Sequence, residues 1–405
     1  MRILQPLSRR PVSLLWASQV CSSTGSQFYM VAVTWIAAGL IGRDAGYLSA
    51  LQAAALLFGS LFGGIITDRW QHRSTMMVAD LMCAALVLTL SVTSLFGHIN
   101  LLLLSAIAAS VALVSSCFDP ALQATLPAIV PEAALRHATN ALFDATRRAA
   151  RILGPGMIAL LSSCLPTGQF FTITAATFLL SALTVRAAIK PGLSMLNPDS
   201  GRSAAILDSL TGGWQAVKQH PVLRFGLCAN LIGNVAWGMG ILLGMMLLLR
   251  QNSQQALTDY SMMMMGYGIG NLVANLIIGS MRPRSPAGCL IASKLIFGLG
   301  VCLLPLMHDR SGLMLVAAFA ALNGPFETLA MLQLFQSELP PQRIAQAYRL
   351  QMCAVFAGLL LAYLAAPALF GCFGLKPVII ASGAATVAVG LCGMLYLLRR
   401  QTTIC

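Results

Sequence analysis

Apolar residues fill this chain in long stretches broken by short polar connections. A helix needs roughly 18–25 mostly apolar residues to cross a bilayer core, and about twelve stretches reach that length. They are Val12–Ile41, Ala45–Thr67, Thr75–Phe96, Leu101–Ile129, Asn140–Leu165 and Gly168–Ala188, then Val222–Leu249, Leu257–Ser280, Ala287–Met307, Gly312–Gln336, Ala347–Phe370 and Pro377–Leu398. None alternates polar and apolar residues as a barrel strand does, so each satisfies its backbone internally as a helix. The longest polar interruption, Lys190–Pro221, divides the spans into two equal sets. The pattern predicts an all-α integral membrane protein: one six-helix bundle over residues 1–190, a cytoplasmic linker over 191–220, and a second six-helix bundle over 221–405. Within the linker, Ile206, Leu210, Trp214 and Val217 share one helical face, which predicts an amphipathic helix on the membrane surface.

Composition agrees with that class. Of 405 residues, 58% are apolar and 9% charged, and the mean hydropathy of +0.80 is too high for a soluble fold. The net charge of +13 invites a nucleic-acid reading, but its distribution excludes one. Arg2, Arg9, Arg10, Arg69, Arg73, Arg136, Arg186, Lys190, Arg202, Lys218, Arg282, Arg284, Arg343, Arg399 and Arg400 fall on one set of connections, against Arg43, Arg250, Arg310 and Lys376 on the other. This positive-inside bias places both termini in the cytoplasm, and the expected partner is a lipid bilayer, not nucleic acid. Met1–Arg10 is basic, but the run after it is too long for a cleavable signal. The Cys residues are scattered and the His residues isolated, so neither a disulfide framework nor a metal site is expected, and no cofactor. The clustered His, Asp or Ser/Lys chemistry that a membrane enzyme needs is missing.

Charge concentrates at one connection, GGIITDRWQHRST (Gly63–Thr75). Shifted by 211 residues, this stretch lands on ANLIIGSMRPRSP, with Arg73 on Arg284 and Ser74 on Ser285. The same shift carries Gln19, Ser23 and Ser26 onto Asn230, Asn234 and Trp237. Two coincident features at one offset predict pseudo-symmetric halves. Asp68 and Arg69 fall on Gly279 and Ser280, so the second copy has lost its acid and first Arg.

GGIITDRWQHRS resembles the loop between the second and third helices of the major facilitator superfamily, with Gly64, Asp68, Arg69 and Arg73 matching its pattern. The resemblance covers essentially the whole chain. RILGPGMIALL, with Gly154, Pro155 and Gly156, is similar to a shortened form of the antiporter Gly-Pro motif. SCFDPALQATLPAIVPEAALRHATNALFDATRRAARILGP and GGWQAVKQHPVLR resemble the branch of macrolide-efflux and enterobactin-export proteins, the drug:proton antiporter-3 branch. The fourth span lacks the Arg that marks other drug/proton antiporters, which fits this branch. The resemblance implies the major facilitator fold in a bacterial cytoplasmic (inner) membrane. It also implies a monomer that exports a drug, siderophore or lipid by alternating access, driven by a proton gradient.

On that reading, Gly64, Asp68, Arg69 and Arg73 form a conformational gate: Asp68 can face a helix N-terminus and the Arg residues can pair with acids. Few acids lie at membrane depth, where each costs about 2.5–3.5 kcal/mol on insertion scales. Asp119 is either a partner of Arg147, Arg148, Arg151 or Arg73, or a group that titrates during transport. Asp144 stands one turn from Arg147 and Arg148 and is expected to pair locally. Glu327 has no Arg within a turn. Three readings stand for it: a proton or substrate site, an ion pair with Lys294, or a cytoplasm-facing acid. Gln19, Ser23, Ser26 and Gln27 form a polar stripe on the first span, matched by Asn230, Asn234 and Trp237 on the seventh, with Asn271, Asn275 and Asn323 as further candidates. These are expected to line the substrate cavity, against the alternative of interhelical hydrogen bonding. Met262–Met265 and Gly266, Gly268 and Gly270 are read as packing. Proton-coupled export of a small amphipathic molecule is the leading expectation. A dedicated siderophore exporter is the alternative, disfavoured by the scarcity of cavity cations, and a non-transporting receptor is the rival of another class.

Overall fold

The computed structural model describes residues 2–97, 99–130, 132–189, 206–280 and 285–402, and every regular element among them is helical. Ten stretches of the described residues are long and apolar enough to cross a membrane. The difference from twelve has two physical sources. Arg10–Gly59 qualifies as one stretch, because only the 3-10 turn Gly42–Asp44 separates α1 (Arg10–Ile41) from α2 (Ala45–Arg69). The helix α6 (Ala133–Leu161) falls short because Asp144, Arg147, Arg148 and Arg151 crowd its middle.

The chain forms two compact units: Met1–Leu40 with Leu51–Ser203 (unit 1), and Ile41–Ala50 with Ala204–Cys405 (unit 2). In unit 1, α3 (His72–Leu95) packs against α7 (Gln169–Ala188), α4 (Leu101–Ser115) and α5 (Phe118–Ile129). Phe28 of α1 meets Phe170 of α7 at 5.7 Å between ring centroids, and Tyr29 meets Phe171 at 6.3 Å. A core of Leu15, Met76, Phe118, Leu122, Phe143 and Val185 joins five helices at one end. Before that end, Arg9 donates two hydrogen bonds to Glu132, at 2.9 and 2.7 Å. Those bonds, helped by a backbone bond and the opposite charge, hold the Glu132 carboxyl below its ordinary range.

The predicted fourth span is two helices, not one. It breaks between Ser115 and Phe118, where the Ser115 and Ser116 hydroxyls bond to carbonyls one turn back. Pro120 has no N–H to offer the Ser116 carbonyl, so the α-helical ladder cannot run through. The predicted tenth span breaks likewise. There α13 (Arg310–Ala321) gives way to α14 (Asn323–Glu338) just before Pro325.

Unit 2 begins with α8 (Ile206–Lys218). Its Ala216 and Val217 are buried in a core with Leu223, Leu334, Phe335 and Ala347, and it packs on α15 (Pro341–Phe373). Of the face read as apolar, Val217 is buried against the bundle and Trp214 is 52% exposed. The side chains of Ile206 and Leu210 and residues 190–205 lie outside the described residues. A continuous helical run then comprises α9 (Pro221–Ala236), a π-helical segment (Trp237–Gly244) and α10 (Met245–Asn252). After it come α11 (Ala256–Ser280), α12 (Pro286–Leu303), α13, α14, α15 and α16 (Leu375–Thr402). Gly266 and Gly270 lie directly on the backbone of α13 at Met314 and Ala318, where any Cβ would overlap it. That close approach is the packing role read from the sequence.

Candidate functional site

The most charged buried site of unit 2 is built from three helices. Lys294 comes from the middle of α12, Glu327 from the second turn of α14 and Asn230 from α9. All three are buried, Lys294 completely. Lys294 Nζ donates to Glu327 Oε1 at 2.5 Å, and Asn230 Nδ2 donates to the same oxygen at 2.8 Å. The ammonium lies on α9 at Gly233, where a Cβ would occupy its place. Of the three readings open for Glu327, the geometry is that of the Lys294 pair. The cytoplasm-facing acid is excluded by burial. Opposite charges held by a further hydrogen bond are how a low-dielectric interior tolerates either.

Around this pair the polar stripe of α9 and α11 is satisfied within its own helices. Asn234 donates to the Asn230 carbonyl and Asn275 to the Asn271 carbonyl, each at 2.8 Å. Trp237 instead meets Tyr267 of α11, ring centroids 4.4 Å apart. Asn323, at the start of α14, buries its side-chain oxygen without a partner. In unit 1, Gln19 donates to Ser23 at 2.8 Å and its side-chain oxygen is likewise buried and unpartnered. Ser26 bonds to the Ser22 carbonyl at 2.8 Å. Gln27 packs its Cβ on Gly154 of α6, next to buried Pro155 and half-buried Gly156. The hydrogen bonds of these stripes are thus mostly local, and the interhelical bonding weighed for them is found chiefly at Asn230.

The charges of unit 1 agree with expectation at Asp119 and depart from it at Arg73. Asp119 stands in the first turn of α5, its side chain 59% exposed and 3.6 Å from Arg147, one of the partners expected for it. Arg73 meets no acid among the described residues. It donates to the Arg186 carbonyl at 3.2 Å, one of the carbonyls left unbonded in the last turn of α7. Asp144 pairs locally, with Arg148 at 2.7 Å and Arg147 at 3.7 Å. Arg151, on the same helix, is exposed. The side chains of Gly64, Asp68 and Arg69 lie outside the described residues, although the backbone of α2 runs to Arg69.

Sequence reasoning missed one buried acid. Asp80 of α3 is 2% exposed and accepts a 2.5 Å hydrogen bond from Ser181 of α7. Ser181 in turn lies 2.7 Å from Ser18 of α1. A signal was present: Ser18 and Asp80 stand about two turns from the N-terminal ends of α1 and α3, and Ser181 about two turns from the C-terminal end of α7. A cavity of about 250 Å³ also opens in unit 1, lined by Phe58, Trp70, Val78, Met82, Leu113 and Cys117. It is apolar, and none of the polar residues expected to line a cavity borders it. Among the described residues, no group of three His, Cys, Asp or Glu gathers to hold a metal ion.

A family model described as transmembrane secretion effector matches residues 2–400. Curated relatives include the multidrug efflux pump Tap of Mycolicibacterium fortuitum, 27% identical over 55% of this chain and 56% of that one. Another is the uncharacterized MFS-type transporter YfiS of Bacillus subtilis (strain 168), 27% identical over 55% of this chain and 53% of that one. The match spans about half the length of each relative. The nucleoside transporter NupG has the same fold, with a TM-score of 0.79 at 12% identity over 96% of this chain and 99% of that one. A peptide transporter POT gives 0.74 at 13% identity, over 96% of this chain and 94% of that one.

Proposed function

We propose that this chain, which belongs to the transmembrane secretion effector family of the major facilitator superfamily, exports a small amphipathic organic molecule in exchange for protons. The family makes it a multi-pass membrane transporter and not an enzyme. Export of a drug-like cargo is supported by the multidrug efflux name of its relatives.

One observation carries the coupling: the buried Lys294–Glu327 pair with Asn230 on the same oxygen. A proton arriving on Glu327 cancels its charge and releases Lys294 from its counter-ion. The buried charge of unit 2 then rises from zero to one. A conformational state that gives the freed ammonium water or a cargo acceptor is favoured by that change alone. Loss of the proton on the other side restores the pair. Asp68, Arg69 and Arg73 bias the same equilibrium from the end of α2, the working arrangement is a single chain, and the membrane is the bacterial cytoplasmic one.

The test is dye efflux from proteoliposomes under an imposed pH gradient. Glu327→Gln is expected to insert in the membrane and to lose gradient-driven export. The exchanged pair, Lys294→Glu with Glu327→Lys, keeps the charges matched and is expected to restore protein yield without restoring the wild-type pH profile. Gradient-driven export by Glu327→Gln at the wild-type rate would remove this pair from the coupling mechanism.

A further inference from the structure

We propose that Asp80, Ser181 and Ser18 form a proton-binding site inside unit 1, in which the two hydroxyls carry one proton to and from the carboxyl. The site is separate from the Lys294–Glu327 pair and rests on different residues.

With Asp80 as a carboxylate, which can only accept, the direction of each bond follows. Ser181 has one hydroxyl proton, and it lies in the 2.5 Å bond to Asp80 Oδ2. In the 2.7 Å contact with Ser18, therefore, Ser18 donates and Ser181 accepts. The three residues make a continuous hydrogen-bonded chain from α1 through α7 to α3. A proton delivered to Ser18 Oγ displaces the hydroxyl proton of Ser18 onto Ser181 Oγ. The proton of Ser181 moves in turn onto Asp80 Oδ2. Each serine ends with one hydroxyl proton, the carboxylate becomes a neutral carboxylic acid, and both bonds reverse polarity. Release runs the same steps backward.

The surroundings suit this use. No cation faces Asp80 from any element packed against it, among the described residues. Cys21 of α1 and Cys83 of α3 itself face it, both neutral groups. The helix α4 carries no ionisable residue. Asp119 of α5 is exposed and faces Arg147. Arg186 of α7 stands at the helix end, its carbonyl bonded to Arg73. A carboxylate so placed has no charge to balance it, and a proton on the carboxyl removes that imbalance. The hydroxyl oxygens are bonded directly to their neighbours, leaving no gap between them for a metal ion. At 1.5 Å rise per residue the three side chains lie about 10–12 Å inside their helix ends, and all three are buried.

Infrared difference spectra of the reconstituted protein between high and low pH read the site without involving export. The wild type and Glu327→Gln should both show a protonated-carboxyl band that grows as the pH falls. Asp80→Asn should lose that band. Ser181→Ala, which keeps the carboxyl and removes its hydrogen bond, should keep the band at a shifted frequency and midpoint. An Asp80→Asn spectrum that titrates like the wild type overturns the site. So does an unshifted band in Ser181→Ala, which keeps the test decisive if Asp80→Asn fails to fold. Because Glu327→Gln is scored separately, failure here and failure of the coupled-export reading are told apart.

Discussion

Unit 2 buries Glu327 against Lys294 and Asn230, whereas unit 1 buries Asp80 against the hydroxyls of Ser181 and Ser18. In both units the third predicted span carries a buried ionisable group, Asp80 on α3 and Lys294 on α12, beside the first span of its half. The 211-residue shift carries Asp80 onto Ile291 and Cys83 onto Lys294, so the two halves share the span but neither the position nor the chemistry. A compensated pair is stable charged and is disturbed when one member is neutralised. An uncompensated carboxyl is stable neutral and is disturbed when it ionises. On the proposed reading, the two halves respond to a proton in opposite senses.

The largest expected effect comes from breaking the compensated pair. Lys294→Met strands a buried carboxylate and should cost about 3–5 kcal/mol, read by thermal unfolding in detergent. Combining it with Glu327→Leu should recover most of that loss. If the double variant is as unstable as the single one, the pair is not the source of the cost. Asn230→Ala removes the second donor to Glu327 and should cost about 1.5–3 kcal/mol. Asp80→Asn strands no cation and keeps an acceptor for Ser181, so its cost should stay below about 1 kcal/mol. A loss as large as that of Lys294→Met would abolish the contrast between the units. The smallest effect is expected at Arg9 and Glu132, a compensated pair that is exposed. Glu132 is depressed in the folded state, so its contribution is present above the unfolded carboxyl range and fades as pH falls through the lower folded value. Arg9→Ala should flatten the acid limb of a stability–pH curve and leave neutral stability nearly unchanged.

Apolar run length and charge distribution made the helical architecture and its division into halves legible, because lipid permits little else. Run length could not show where a span breaks. The predicted fourth span reads as one apolar stretch, yet Ser116 and Pro120 divide it, and the restart turned Asp119 outward. Glu327 and Lys294 could be named as possible partners from depth alone, but Asn230 as their third member required the packing of α9 on α12 and α14. Asp80 was overlooked because its neighbours in MMVADLMCAA are apolar and its partners lie far away in sequence. The Arg73 contact was misread for a different reason. A helix C-terminus offers free carbonyls that no residue type announces.

The π-helical segment Trp237–Gly244 separates Asn230 from α10 in an otherwise continuous helix. A wide turn holds one residue more than an α-helical turn, and each residue of an α-helix carries about 100° of rotation. Letting that surplus residue migrate or drop out would swivel Met245–Asn252 against Asn230 by about that angle, with no helix melted at either end. The amide that steadies Glu327 is thereby mounted on a shaft whose two ends are joined by a seam of adjustable phase.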